Sequence, residues 1–139
     1  MISTVEKVIL YLGQTFTGHN HDYTMLKEEF PPQEDWFVDM DVLVDLAYLG
    51  MPKAYRGEYI HLPNKKPRRS KKNPETHLSD EHKAENRALS QIRVFVENAI
   101  GGVKRYNILV HRFRNHKTNF DDNVIAICAG LWNFSLAHP

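Results

Sequence analysis

Residues 78–106, LSDEHKAENRALSQIRVFVENAIGGVKRY, restrict the fold more than any other stretch, because they read as one long helix that needs a core to lie against. Ser79 is a good N-cap, and Asp80 and Glu81 fill the first turn, where the helix dipole favours anions. Lys104 and Arg105 close the last turn, where cations are favoured. Leu89, Ile92, Val96, Ile100 and Val103 recur at spacings of three and four, which predicts one buried face. Beside it runs a polar stripe, Asn86, Ser90, Arg93, Glu97, Gly101 and Lys104, with Glu97 at its middle. A carboxylate there is either a solvated surface charge, the usual state of a helical Glu, or an acid aimed past the core edge into a site.

At 139 residues the chain is expected to be one domain, or a piece of one, large enough to bury a substantial core. A lone Cys128 excludes a disulfide framework and a thiolate zinc site, and fits a reducing compartment. No apolar run is long enough to cross a membrane, and the N-terminal MISTVEKVILYLG lacks a basic leader, so the expected location is cytoplasmic, or nucleoid-associated in a bacterium. The net charge of +1 conceals a split: residues 1–50 balance at −7 and residues 51–139 at +8. An acidic site beside a basic surface suits a metal-dependent enzyme acting on a polyanion.

Hydropathy and turn residues predict the remaining elements. Residues 5–13 and 38–44 read as strands, and 59–62 as a very short third one. Residues 21–30 read as a short helix ended by Pro31 and Pro32. Residues 63–74, PNKKPRRSKKNP, hold three prolines and six Lys/Arg and read as a basic loop. Asp121 or Asp122 is expected to cap a final helix, apolar on most sides and therefore buried, with Trp132 and Phe134 in the core. The order is that of an α/β protein.

Asp45 falls just past the end of the second strand, where sheets of this class expose their sites. Glu97 follows on the long helix, the basic loop lies between them in sequence, and Arg93 stands one helical turn before Glu97. In the loop, Lys65, Lys66, Arg68, Arg69, Lys71 and Lys72 are candidate phosphate contacts, and His111, Arg112, Arg114, His116 and Lys117 extend the basic character.

These residues resemble a known family. VLVDLAYLG (42–50), NRALSQIRVFVENAIGGVKRYNIL (86–109), IAICAGLWNF (125–134) and TFTGHNHDYTML (15–26) are similar to segments in the C-terminal half of the DDE-type transposase endonuclease domain, in its insertion-sequence and Harbinger-like branch. The likeness extends over about residues 5–136. It implies a truncated RNase H-like fold, a mixed sheet lacking its first two strands, flanked by the Glu-bearing helix and the C-terminal helix. It further implies two divalent ions, Mg²⁺ or Mn²⁺, held by three carboxylates for DNA cleavage and strand transfer. Asp45 matches the second catalytic Asp and Glu97 the catalytic Glu, while Arg93 and Lys104 become helpers that orient the carboxylate or bind phosphate.

The family's first catalytic Asp has no counterpart, since no Asp precedes Asp22. The resemblance therefore implies a domain fragment, inactive alone: a decayed insertion element, a split reading frame whose N-terminal half is encoded separately, or a fragmentary gene. Asp22 is a further candidate metal ligand, against the alternative that it caps the helix it begins. An open sheet edge would favour a homo-oligomer. The rival reading is a non-catalytic DNA-binding remnant that uses the basic loop.

Overall fold

The computed structural model describes residues 1–16, 18–71, 76–115 and 117–139. It is a mixed α/β structure with small sheets and four α-helices among the described residues. The chain divides into two compact units, one made of Met1–Thr17 and Ile92–Pro139, the other of Gly18–Gln91. Lys72 and His116 lie outside the described residues.

The first unit opens with β1 (Ile2–Ser3), antiparallel to β2 (Ile9–Tyr11). The strand expected over 5–13 begins only at Ile9, because the chain turns just before it. Thr4 N–H donates to Val8 O at 2.9 Å, Val8 N–H donates to the Thr4 hydroxyl at 3.3 Å, and Lys7 adopts a left-handed φ of 70°. Later in this unit come the C-terminal part of α3 (Asp80–Lys104) and α4 (Phe120–Ala137).

Their shared core is Ile9, Ala99, Val103, Val124, Cys128, Ala129 and Trp132. The helix buries Ala99, Gly102 and Val103, whereas Ile100, expected inside, is exposed. Gly102 explains the shift. A Cβ at this position would stand 2.3 Å from the Trp132 ring, so the indole lies on bare backbone. The ring is held there by its own N–H, which donates to Lys7 O at 2.9 Å.

Asn133, the next residue, accepts from Ile9 N–H and donates to Ile9 O, both at 2.9 Å. Its amide thus satisfies both main-chain groups of Ile9 as a neighbouring strand would. Helix α4 is less enclosed than its composition predicts. Val124, Cys128, Ala129 and Trp132 face inward, but Ile127 and Phe134 are 62% and 63% exposed, which corrects the placement of Phe134 in the core. Neither Asp121 nor Asp122 caps α4. Asn119 occupies that position, and the two acids in the first turn bind Thr15 instead, through its hydroxyl at 2.7 Å and its N–H at 2.8 Å.

The second unit contains α1 (Asp22–Glu29), β3 (Asp41–Leu43), α2 (Met51–Ala54), β4 (Tyr59–His61) and the N-terminal part of α3. Strands β3 and β4 are parallel, with Val42 opposite Ile60, and Val44 N–H extends the ladder to His61 O at 3.0 Å. A parallel pair needs a crossover, here supplied by a 3₁₀ turn at Leu46–Tyr48 followed by α2. Phe37, Met51 and Tyr55 are buried, and the rings of Trp36, Phe30, Phe37 and Tyr55 pack in that order with successive centroids 5.2 to 5.8 Å apart. The Tyr55 hydroxyl donates to Phe30 O at 2.6 Å.

Helix α3 starts where its sequence predicts. Ser79 accepts from His82 N–H at 3.1 Å, and Lys83 pairs with Asp80 at 2.8 Å. No helix among the described residues is long and apolar enough to cross a membrane.

Candidate functional site

Asp45 sits two residues past β3 and serves as the N-cap of the 3₁₀ turn. Its Oδ1 accepts from Ala47 N–H at 2.7 Å, which fixes the side-chain rotamer. Among the described residues Oδ2 has no protein hydrogen-bond donor, so a half-buried carboxylate keeps one oxygen available.

Asp22 is the first residue of α1, but His21 holds the cap position and its Nδ1 accepts from Tyr23 N–H at 3.2 Å. Asp22 is therefore not the cap, and its carboxylate is exposed. The two acids act on a common neighbour. Burial pushes the Tyr48 hydroxyl above its ordinary pKa, and the charges of Asp22, Asp45 and Glu29 push it further in the same direction. The rings of Tyr48 and Tyr23 meet edge to face at 6.4 Å. Neither Glu29 nor Tyr48 stands out in the sequence as a site residue. Glu29 reads there as one more exposed acid on a short helix, and only folding back of the 3₁₀ turn brings Tyr48 into the same field.

Glu97 lies on the exposed polar stripe of α3, where Arg93 Nε approaches its Oε1 at 3.2 Å. This i,i+4 pair orients the carboxylate without burying it. Lys104 is exposed in the last turn of the same helix. In the basic segment Lys65, Lys66, Arg68, Arg69 and Lys71 are all exposed, and no ion pair engages them among the described residues. The acids of the sequence motif are divided: Asp22 and Asp45 belong to the unit Gly18–Gln91, and Glu97 to the unit that includes Ile92–Pro139.

Aspartate and glutamate oxygens are hard donors, the kind that Mg²⁺ and Mn²⁺ take. In kind, then, the free oxygen of Asp45 and the exposed carboxylate of Glu97 fit such an ion. In number they fall short, because no three His, Cys, Asp or Glu side chains are grouped to hold a metal among the described residues.

A family model described as DDE superfamily endonuclease matches residues 1–133, and the chain belongs to that family. It is 30% identical over 122 residues to a probable transposase for insertion sequence element IS702 from Microchaete diplosiphon, an alignment covering 86% of this chain and 39% of that relative. The chain thus spans about two-fifths of the length of the curated relative it matches. No solved structure matches it.

Proposed function

We propose that the chain is part of a DDE-type transposase catalytic domain and contributes Asp45 and Glu97 to a two-metal centre that cleaves and joins DNA. The observation that carries this reading is the state of Asp45. It lies two residues past a strand, one oxygen is pinned by a backbone N–H, and the other has no donor among the described residues, within a chain whose residues 1–133 match the family. Bound Mg²⁺ or Mn²⁺ would supply Lewis-acid polarisation of the phosphodiester and an activated water. The chain's own residues prepare for that charge. Ala47 N–H holds Asp45 in one rotamer, Arg93 holds Glu97, and Asp22 stands as a further acid in the field around Tyr48.

Two carboxylates about 4 Å apart repel by roughly 4 kcal/mol at an effective dielectric near 20, so bringing such acids together requires a cation or a shared proton. Within this proposal the fold is RNase H-like. The family's first Asp has no match in these 139 residues, and within this proposal the chain as given does not cleave by itself.

Electron paramagnetic resonance of added Mn²⁺ tests the site. Asp45→Asn and Glu97→Gln should each weaken binding, and identical binding by all three proteins would remove the metal centre from the reading. Plasmid nicking in Mg²⁺ or Mn²⁺ tests the activity. The purified chain should leave the plasmid intact, whereas nicking that Asp45→Asn abolishes would show that these residues suffice.

A second reading, DNA binding without catalysis, is favoured by one observation, the five exposed cations of the basic segment, which no ion pair engages among the described residues. With Lys72, six phosphates could be neutralised, giving a slope of about −5 on a log–log plot of affinity against salt. Such binding should survive EDTA and Glu97→Gln. Deleting residues 65–72 without loss of binding would eliminate it.

A further inference from the structure

We propose that Asn64, Asn86 and Glu85 form a positioning clamp that presents the cations of residues 65–71 to a nucleic-acid backbone, an inference that rests on the DNA-binding role of this loop. The sequence reads residues 63–74 as a plain loop, yet its root is built. Asn64 N–H donates to Asn86 Oδ1 at 2.6 Å, and Asn86 Nδ2 donates back to Asn64 O at 3.0 Å. The side chain of Asn64 donates in turn to Glu85 Oε2 at 2.6 Å. One side-chain amide on α3 therefore satisfies both main-chain groups of Asn64, and the neighbouring helical residue fixes its side chain.

Beyond this root Lys65, Lys66, Arg68, Arg69 and Lys71 are exposed, and Pro67 restricts the backbone among them. Glu85 accepts from a neutral amide instead of pairing with a loop lysine, so the local positive charge is left intact.

This loop buries no apolar side chain of its own between Lys65 and Lys71, so fixing its root adds little to a core. It does reduce the ordering cost when the cations meet a row of phosphates, and a loop already restrained at its root binds more tightly than a free tether of equal charge. Asn64, Asn86 and Glu85 need touch no phosphate to have this effect. They act through the loop.

The test is a double-mutant cycle on DNA affinity, read by fluorescence anisotropy with a short labelled duplex at fixed salt. Asn86→Ala should weaken binding about five-fold while leaving the melting temperature nearly unchanged. In a background carrying Lys65→Ala, Lys66→Ala, Arg68→Ala and Arg69→Ala, the same change should have almost no effect. Asn64→Ala, which removes only the Glu85 bond, should weaken binding about two-fold and serves where Asn86→Ala fails to fold. Equal losses in both backgrounds, or no loss in either, would overturn the clamp while leaving the DNA-binding loop standing. Absence of any duplex binding by the unaltered chain would overturn both.

Discussion

The two compact units are closed by opposite means. In the unit of Met1–Thr17 and Ile92–Pro139, the ends of the chain are stitched together by polar contacts over very long sequence separations, Lys7 to Trp132, Ile9 to Asn133 and Thr15 to Asp121 and Asp122. Its central contact is an indole lying on a helix backbone that has no side chain. In Gly18–Gln91 the rings of Trp36, Phe30, Phe37 and Tyr55 pack each on the next over much shorter sequence separations, and the Tyr55 hydroxyl and the Trp36 indole N–H tie them to the main chain at Phe30 O and Pro31 O. The first unit should therefore be sensitive to added volume, and the second to a lost oxygen or a change in its protonation.

The sharpest way to break this contrast uses two adjacent glycines. Gly102→Ala drives a methyl into the Trp132 ring and should cost about 3 kcal/mol or more in a urea melt. Gly101→Ala meets open space on the same helix and should stabilise by up to about 1 kcal/mol, because alanine loses less backbone freedom. Equal responses at the two positions would mean that the indole does not rest on Gly102. Next in size is Asn133→Leu, which strands the N–H and C=O of Ile9 at a partly buried site and should cost about 2 kcal/mol.

These two predictions mark the boundary of what sequence alone could reveal. Local signals were legible. Ser79, Asp80 and Lys104 delimit α3 by cap and dipole, and β2, β3 and β4 fall inside the stretches read as strands, whereas β1 at Ile2–Ser3 lies outside them. Position relative to a strand end was legible for Asp45 for the same reason. What was hidden depends on distant partners. Nothing near Gly102 in sequence says that Trp132 will cover it, and nothing near Asn133 says that its amide will stand in for a strand beside Ile9. The apolar composition of α4 suggested full burial, but Ile127 and Phe134 face outward within this chain. The field of Asp22, Glu29 and Asp45 at Tyr48 is likewise a product of folding, not of spacing.

In the aromatic unit the corresponding probe is a single oxygen. Tyr55→Phe removes the hydrogen bond to Phe30 O and should cost about 1 kcal/mol at neutral pH. It should also change the response to alkali. Burial pushes the Tyr55 hydroxyl up to about 12, with Tyr23 adding to the shift, so the folded state holds this proton where the unfolded chain has begun to lose it. The stabilisation is complete below pH 10 and is lost as pH rises towards 12. Urea melts at rising pH should show stability falling over that window, less steeply in Tyr55→Phe, and identical slopes would place the titration elsewhere.

The smallest effects separate the two acids of the proposed site, one in each unit. Asp45→Ala removes a cap and should cost about 1 kcal/mol, whereas Asp45→Asn keeps an oxygen for Ala47 N–H and should be nearly neutral to stability. Arg93→Ala breaks only an exposed i,i+4 pair, worth about 0.3 kcal/mol. The fixed carboxylate thus contributes to the stability of its own unit, and the exposed one contributes almost nothing to its own. If Glu97 were merely a surface charge, Glu97→Gln and Arg93→Ala would be silent in every assay. If it is a metal ligand oriented by Arg93, both changes should leave the melt within about 0.5 kcal/mol of the parent and still weaken Mn²⁺ binding. Silence in the melt combined with a loss of Mn²⁺ affinity is the pattern that separates a site residue from a solvated helix face.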